Sequence, residues 1–211
     1  MILLTDNDIL VKLSQSNLVG EALTVLGCTL PECYVLDTVK YSLFLNDPDK
    51  CIAKRVGNLQ AYERLCELVE GCSELGAAEE NLDFLEDLSQ MENIDAGEQA
   101  LLLHAHQLHS AGEPFWLTTG DRKALLGVHN SSSVVAKRIL RQRVDCTESL
   151  VLKMLGIYGF DAINHKISGA IPVTDRFDSV LRMAFGNGRD IQHAQACLQS
   201  YLDQVAEYIR P

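Results

Sequence analysis

Short apolar runs alternate with amphipathic stretches over the first two thirds of the chain. Three runs are typical of buried β-strands: MILLT at residues 1–5, CYVL at 33–36 and FWLTT at 115–119. RQRVDC at 141–146 is a candidate for a fourth strand. Because strands that alternate with helices pair in parallel, the pattern predicts an α/β fold whose mostly parallel central sheet is covered by helices on both faces.

Helical spacing of apolar residues accounts for most of the remaining chain. The predicted helices cover residues 7–27 with a break near Gly20, then 38–45, 58–70, 80–90, 99–112 and 148–159. Beyond Gly159 the strand pattern disappears, and residues 175–185 and 190–209 keep helical periodicity. We therefore predict a domain over residues 1–150 and a helical C-terminal extension over residues 151–211 that packs on it or next to it.

Composition and length describe a soluble globular protein. The chain has 211 residues, of which 47% are hydrophobic, and this is enough for one well-filled core. No apolar stretch approaches the roughly 20 residues that a membrane-spanning helix needs, and the N-terminus lacks the basic region of a secretory signal. We therefore expect a cytoplasmic protein without membrane association. The seven cysteines never form a CxxC pair, so free buried thiols are expected rather than a zinc site.

The net charge of −11 argues against non-specific wrapping of nucleic acid, which relies on a basic surface. It does not exclude a nuclease, because such an enzyme concentrates carboxylates at its site and keeps its basic residues local. Six of the 18 basic residues fall between positions 122 and 143. This group is either a solvated helical face or a rim that contacts phosphates just after Asp121. In the second case the candidate nucleic-acid contacts are Arg122, Lys123, Lys137 and Arg138.

Carboxylates at strand ends and at a helix start are the strongest chemical signal in the sequence. Asp6 directly follows the first strand, Asp121 follows the FWLTT strand, and Glu98 precedes the 99–112 helix. The carboxyl ends of strands in an open α/β sheet are where ligands bind, and Mg²⁺ and Mn²⁺ prefer oxygen ligands. Carboxylates placed close together repel one another unless a cation neutralises them. The pattern therefore favours a divalent-metal site.

Each of these acids also has a purely structural interpretation. Asp6 suits the N-cap of the first helix, Glu98 favours a helix N-terminus, and Asp121 suits a turn. Asp95 is a natural cap for the helix that contains Glu98, and Asp37 is well placed to cap the 38–45 helix. Side chains that flank the acids are candidate helpers of a metal site, through hydrogen bonds to the ligands or to bound water. These helpers are Asp8, Asp95, Asp37 and Thr119.

Three segments make the chain resemble the PIN-domain family of metal-dependent nucleases, which includes the toxin ribonucleases of bacterial toxin–antitoxin pairs. LLTDNDIL is similar to the family's first strand with its catalytic acid, DAGEQALLLHAHQL to a Gly-Glu helix start found in one branch, and FWLTTGD to the late strand that ends in a Thr-x-Asp motif. The resemblance covers roughly residues 1–150 and matches Asp6, Glu98 and Asp121 to catalytic, metal-binding acids. It implies a Rossmann-like three-layer α/β/α sandwich.

The resemblance also implies an activity. This is Mg²⁺- or Mn²⁺-dependent hydrolysis of phosphodiester bonds, usually in RNA, by a metal-activated water. One departure weakens it: the family normally places another acid, most often Glu, on the helix after the second strand, whereas the matching positions here are Lys40 to Ser42. The alternative is a catalytically degenerate PIN-like module that binds a protein partner. The helical tail is a candidate surface for such a partner or for a second copy of the chain.

Overall fold

The computed structural model describes residues 2–211 and contains a central sheet of five strands. The strands are β1 (Ile2–Thr5), β2 (Cys33–Leu36), β3 (Ser73–Leu75), β4 (Phe115–Thr119) and β5 (Val144–Cys146). They lie in the order β3-β2-β1-β4-β5, and every neighbouring pair is parallel. The carboxyl ends of the strands therefore meet at one edge of the sheet.

The strand order changes direction next to β1. The chain first places β2 and β3 on one side of β1 and then returns to place β4 and β5 on the other side. In open parallel sheets such a switch point leaves a crevice at the carboxyl ends of the two strands beside it, and ligands bind there. Here these strands are β1 and β4, whose register pairs Leu4 with Leu117 and Thr5 with Thr118.

Thirteen α-helices accompany the sheet in the described part of the chain. They are α1 (Asn7–Ser16), α2 (Val19–Leu26), α3 (Val39–Ser42), α4 (Pro48–Cys51), α5 (Leu59–Gly71), α6 (Leu82–Ser89), α7 (Ala96–Ala111), α8 (Arg122–Asn130), α9 (Val134–Leu140), α10 (Thr147–Tyr158), α11 (Phe160–Ala170), α12 (Ser179–Ala184) and α13 (Ile191–Leu202). Two 3₁₀ turns (Leu30–Glu32 and Ile171–Val173) and one π-helical turn (Ile52–Val56) complete the helical structure. None of the helices in residues 2–211 combines the length and the apolar character that a membrane crossing requires.

Helices cover both faces of the sheet, as the side chains of β1 illustrate. Leu3 belongs to a core formed with α2 and with α10 to α13. Leu4, the next residue, belongs to a second core formed with α6 to α9. A third cluster packs Val35 of β2 against α3 to α5. Because consecutive strand residues point to opposite faces, this arrangement is a three-layer sandwich, and it confirms the predicted Rossmann-like α/β/α fold.

The differences from the predicted elements have local causes. The first helix is broken at Asn17 rather than near Gly20, because Asn17 adopts a left-handed conformation (φ 54°) that ends α1. The predicted 38–45 helix is reduced to α3, and Phe44 just beyond it also has a positive φ, of 60°. The fourth strand candidate shortens to Val144–Cys146. β3, α4 and α11 have no counterpart among the elements predicted from the sequence, and the basic stretch 122–143, for which a helical face is one interpretation, contains α8 and α9.

The C-terminal helices share their cores with the sheet. α10 begins at Thr147, so the predicted domain boundary at residue 150 falls inside this helix. α13 ends at Leu202 instead of continuing to residue 209, and the residues after it run beside β5. The Val144 amide donates to the Tyr208 carbonyl (2.9 Å), and the Arg210 amide donates to the Val144 carbonyl (2.9 Å). The tail therefore completes the outer edge of the sheet.

Candidate active site

A cleft of about 720 Å³ lies at the carboxyl end of the sheet, where β1 and β4 meet. It is lined by residues that follow β1, β2 and β4 and by the first turn of α7. Six of the lining side chains are carboxylates: Asp6, Asp8, Asp37, Asp95, Glu98 and Asp121. The fold thus brings all the acids that the sequence marks as candidates to one cleft.

Asp6 occupies the N-cap position of α1, but its carboxylate makes no capping hydrogen bond. Instead its Oδ2 accepts two hydrogen bonds from the end of β4, one from the Thr119 hydroxyl (3.2 Å) and one from the Gly120 amide (3.2 Å). Burial and the nearby charge of Asp8 raise the pKa of Asp6 to about 6, although these hydrogen bonds act in the opposite direction. The interpretation of Asp6 as a simple helix cap is therefore wrong.

The turn after β4 fixes this arrangement. A Cβ atom on Gly120 would lie 2.6 Å from the backbone of Asp8, so a glycine is needed for the start of α1 to approach this closely. The Thr119 hydroxyl also accepts a hydrogen bond from the Asp121 amide (3.0 Å). The Asp121 carboxylate caps α8 by accepting the Lys123 amide (2.7 Å). Asp121 thus lines the cleft and caps a helix at the same time.

Asp95 and Glu98 form a reciprocal capping box at the start of α7. The Glu98 amide donates to Asp95 Oδ1 (2.9 Å), and the Asp95 amide donates to Glu98 Oε2 (2.7 Å). Burial raises the pKa of Glu98 to about 8, and the charges of Asp95, Asp6 and Asp121 contribute in the same direction. The structural interpretation of this pair is confirmed. In addition, the surroundings of Glu98 disfavour the ionised form of its carboxyl group.

Asp8 and Asp37, like Asp95, are exposed acids of the cleft. Asp37 follows β2, but the N-cap of α3 is Thr38, which makes no side-chain capping hydrogen bond. The prediction that Asp37 caps this helix is therefore wrong. The helix itself reads VKYS and carries no acid, so Asp37 is the acid that this part of the chain contributes to the cleft lining.

These carboxylates are not assembled into a finished metal cage. Among residues 2–211, no group of three or more His, Cys, Asp or Glu side chains is arranged to hold a metal ion. Glu98 and Asp121 each use a carboxylate oxygen for helix capping. A hydrated Mg²⁺ ion requires less, because it keeps several waters and binds through one or two carboxylates. The donor set matches that weaker requirement, since Asp6 and Glu98 are acids whose raised pKa values a nearby cation would lower.

Lys12 of α1 connects the cleft to the C-terminal helices. Its ammonium donates to the Gly120 carbonyl and forms an ion pair with Asp178 (2.8 Å), the N-cap of α12. Burial lowers the pKa of Lys12, but the Asp178 carboxylate and the charges of Asp8 and Glu148 together raise the pKa above its usual value. The sequence does not reveal this role, because Gly120 is 108 positions away along the chain.

The four predicted nucleic-acid contacts lie outside the cleft lining. Arg122 donates to the Tyr201 carbonyl (3.2 Å), and its guanidinium lies over the Tyr201 ring (4.8 Å). Arg122 therefore has a structural role, the attachment of α13 to α8. Lys123 and Arg138 are exposed and Lys137 is half-buried, and a contact of these three with nucleic acid stays a prediction.

Three further side chains that line the cleft have no signal in the sequence: Tyr41, Phe44 and Arg55. Tyr41 is 83% exposed. Arg55 is the only basic side chain among the described residues that line the cleft. These residues come from a helix and a turn that carry no recognisable motif, and only the fold brings them to the acids.

Comparisons with known proteins do not identify the chain. No family model matches it, and neither a curated protein nor a solved structure matches it. The PIN-domain resemblance therefore rests on the three sequence segments.

Proposed function

We propose that the protein is a divalent-metal-dependent hydrolase of phosphodiester bonds and acts as an endoribonuclease at the acidic cleft. The supporting observation is the convergence of six carboxylates at the switch point of a parallel sheet, with the pKa of Asp6 raised to about 6 and that of Glu98 to about 8. Acids with perturbed pKa values in a cleft are typical of functional sites. RNA is the proposed substrate because the PIN-domain resemblance implies it.

In this proposal Asp6, Glu98 and Asp121 hold a hydrated Mg²⁺ or Mn²⁺ ion. When bound, such an ion supplies an activated water as the nucleophile and neutralises charge on the phosphoryl oxygens. Thr119 and Gly120 orient the Asp6 carboxylate, because both donate to Oδ2 and neither uses Oδ1. The remaining acids of the cleft are candidate acceptors for hydrogen bonds from metal-bound water.

A second candidate function is that of a catalytically degenerate PIN-like module that binds a protein partner. Two observations favour it. No three-acid metal group exists among residues 2–211, and Glu98 and Asp121 already serve as helix caps. In this case the C-terminal helices supply the surface for the partner or for a second copy of the chain.

Cleavage of single-stranded RNA in the presence of Mn²⁺ tests the first candidate. We expect the wild-type chain to cleave RNA and the Asp6→Asn and Asp121→Asn variants to cleave at least roughly 100-fold more slowly. Loss of a residue that only hydrogen-bonds a metal ligand already costs up to about 100-fold, and these two residues are proposed ligands. Asn remains a good N-cap at position 121. Asp83→Asn, which changes an exposed aspartate of α6 outside the cleft, is the matched control. Equal rates in the wild type and both cleft variants would sink the proposal.

Thermal stability in the presence of metal separates the two candidates. For a metal-dependent enzyme we expect a saturable rise of the melting temperature with Mg²⁺ or Mn²⁺, because a ligand that binds the folded state stabilises it. The rise should be absent in Asp6→Asn. A wild-type chain whose melting temperature does not respond to either ion, and which co-purifies with a stable protein partner, supports the degenerate module instead.

A further inference from the structure

One wall of the cleft has a chemistry unlike that of its acidic part. This wall consists of Tyr41, Ser42, Phe44 and Arg55, and we call it the aromatic wall. At 83% exposure, Tyr41 is the most exposed large hydrophobic side chain in the described residues. A large ring left open to water contributes nothing to the core, and on the wall of a cleft it offers a flat face on which a ligand can stack.

The backbone of the aromatic wall is unusual at two places. Phe44 has a positive φ of 60°, and Arg55 belongs to the π-helical turn Ile52–Val56. Left-handed non-glycine residues and π-turns are both unfavourable, and both occur preferentially at functional sites. The Gln15 side chain of α1 donates to the Arg55 carbonyl (2.8 Å) and ties this turn to the helix that begins after Asp6.

Arg55 is the cation of the aromatic wall. Its Nη2 donates to the Ser42 carbonyl (2.9 Å), which places the guanidinium next to the residue that follows Tyr41. Its Nε is buried and has no acceptor among residues 2–211. Six carboxylates line the same cleft. Among the side chains that line the cleft, Arg55 is therefore the one that attracts an anionic group, and a guanidinium is well suited to binding phosphate.

From this placement we propose that the aromatic wall is a subsite for one unpaired nucleotide of single-stranded RNA. The base stacks on the Tyr41 ring and the adjacent phosphate binds Arg55. Stacking on a protein side chain requires a base that is free of its own strand's stack, so single strands bind and duplexes do not. The inference rests on the proposed function of the cleft, since it names how that site holds its substrate. Binding itself requires no hydrolysis.

Fluorescence anisotropy with a short fluorescein-labelled oligouridylate in EDTA tests the stacking contact. Tyr41→Ala should weaken binding about tenfold or more, whereas Tyr41→Phe keeps the ring and should stay within about twofold of the wild type. Tyr158→Ala, which removes a tyrosine 36% exposed at the end of α10, is the matched control and should bind like the wild type. A blunt RNA duplex should compete poorly with the labelled strand.

The dependence of binding on salt tests the phosphate contact. For single strands, each phosphate contact contributes about 0.7 to the slope of log affinity against log salt concentration. Arg55→Met should therefore flatten this slope by about 0.7, and Arg55→Lys should retain it. If Arg55 only supports the turn around Ser42, the substitution lowers affinity and leaves the slope unchanged.

The subsite is overturned if Tyr41→Ala binds with wild-type affinity or if duplex and single strand bind equally. It is also overturned if Arg55→Met leaves the salt slope unchanged, or if the wild type does not bind at high micromolar concentration. Failure of the subsite is distinct from failure of the hydrolytic function. Cleavage that depends on Asp6 but not on Tyr41 rejects the subsite alone. Binding that depends on Tyr41, without any cleavage in Mn²⁺, rejects the hydrolytic function alone.

Discussion

Two aspartates lie at the carboxyl edge of the sheet, Asp145 in β5 and Asp6 after β1. Their surroundings differ, because cations neutralise the charge of Asp145 and none neutralises that of Asp6. Asp145 is 1% exposed, and two cations neutralise it: Lys153 Nζ and Arg210 Nε each lie 2.8 Å from one of its oxygens. The Ser149 hydroxyl adds a hydrogen bond to Oδ1 (3.1 Å). This carboxylate is a structural charge that is paired with two cations.

Asp6 has none of this compensation. Its carboxylate accepts hydrogen bonds from neutral donors, the Thr119 hydroxyl and the Gly120 amide, and within residues 2–211 it takes part in no ion pair. The charge that acts on its pKa is that of another acid, Asp8. Buried charges that serve stability are paired. Asp6 thus carries a charge that the fold does not neutralise, and acids of this kind in a cleft are typical of binding and catalytic sites.

Replacement of each aspartate by asparagine should have different effects on stability. Asp145→Asn leaves Lys153 and Arg210 without their counter-charge and should lower the free energy of unfolding by about 3 kcal/mol, the low end of the range for a broken buried pair because both cations keep some exposure. Asp6→Asn keeps an acceptor for the two β4 donors and removes a charge that burial disfavours, so its stability should equal or exceed that of the wild type. Urea unfolding at pH 7 measures both. A loss in Asp6→Asn as large as that in Asp145→Asn would contradict the distinction.

Substitution of Gly120, which lets the start of α1 approach the end of β4, should also lower stability. Gly120→Ala inserts a Cβ 2.6 Å from the Asp8 backbone and should cost about 1–3 kcal/mol, the usual range for overpacking. Gly156→Ala in α10 is the control, because a Cβ there has no neighbour within 4 Å and alanine is the better helix former. Thermal melts compare the two variants. Equal melting temperatures would show that the turn after β4 yields, and that Asp6 is less rigidly held than we infer.

The raised pKa values of the cleft acids also make stability depend on pH. The pKa of Glu98 is raised to about 8 and that of Asp6 to about 6, so between pH 5 and 8 the folded state retains protons that the unfolded state has released. Stability therefore falls as pH rises through this window. Glu98→Gln preserves the capping box and removes this titration, so in EDTA the variant should gain stability relative to the wild type from pH 5 to pH 8. A constant difference between the two chains across this range would count against the raised pKa.

Sequence patterns predicted those parts of the fold that are encoded locally. β1, β2 and β4 are continuous apolar runs because both faces of a parallel sheet are covered, and the adjacency of β1 and β4 then brings Asp6 and Asp121 to one edge. β3 has only three residues and reads SEL, so its strand conformation depends on pairing with β2 and has no signature of its own.

The aromatic wall and the Lys12 bridge could not be predicted from the sequence. Arg55 reaches the cleft because a π-helical turn follows α4, and no local pattern distinguishes that turn from an ordinary helix. Tyr41 is exposed because the helix that contains it stops after one turn, before the left-handed Phe44. Lys12 contacts partners distant in sequence. These features depend on tertiary packing, which overrides helical periodicity.

The tail that runs beside β5 has a consequence for self-association. An uncovered edge strand presents free amide and carbonyl groups to which another chain can add a strand. Residues 207–210 occupy these groups on β5, and Arg210 supplies one of the two cations of Asp145. The same few residues thus shield the sheet from edge-to-edge aggregation and neutralise its most buried acid. A chain trimmed before Glu207 would lose the cover of this edge and one of the two cations of Asp145, and we expect it to become insoluble before binding at the cleft is lost.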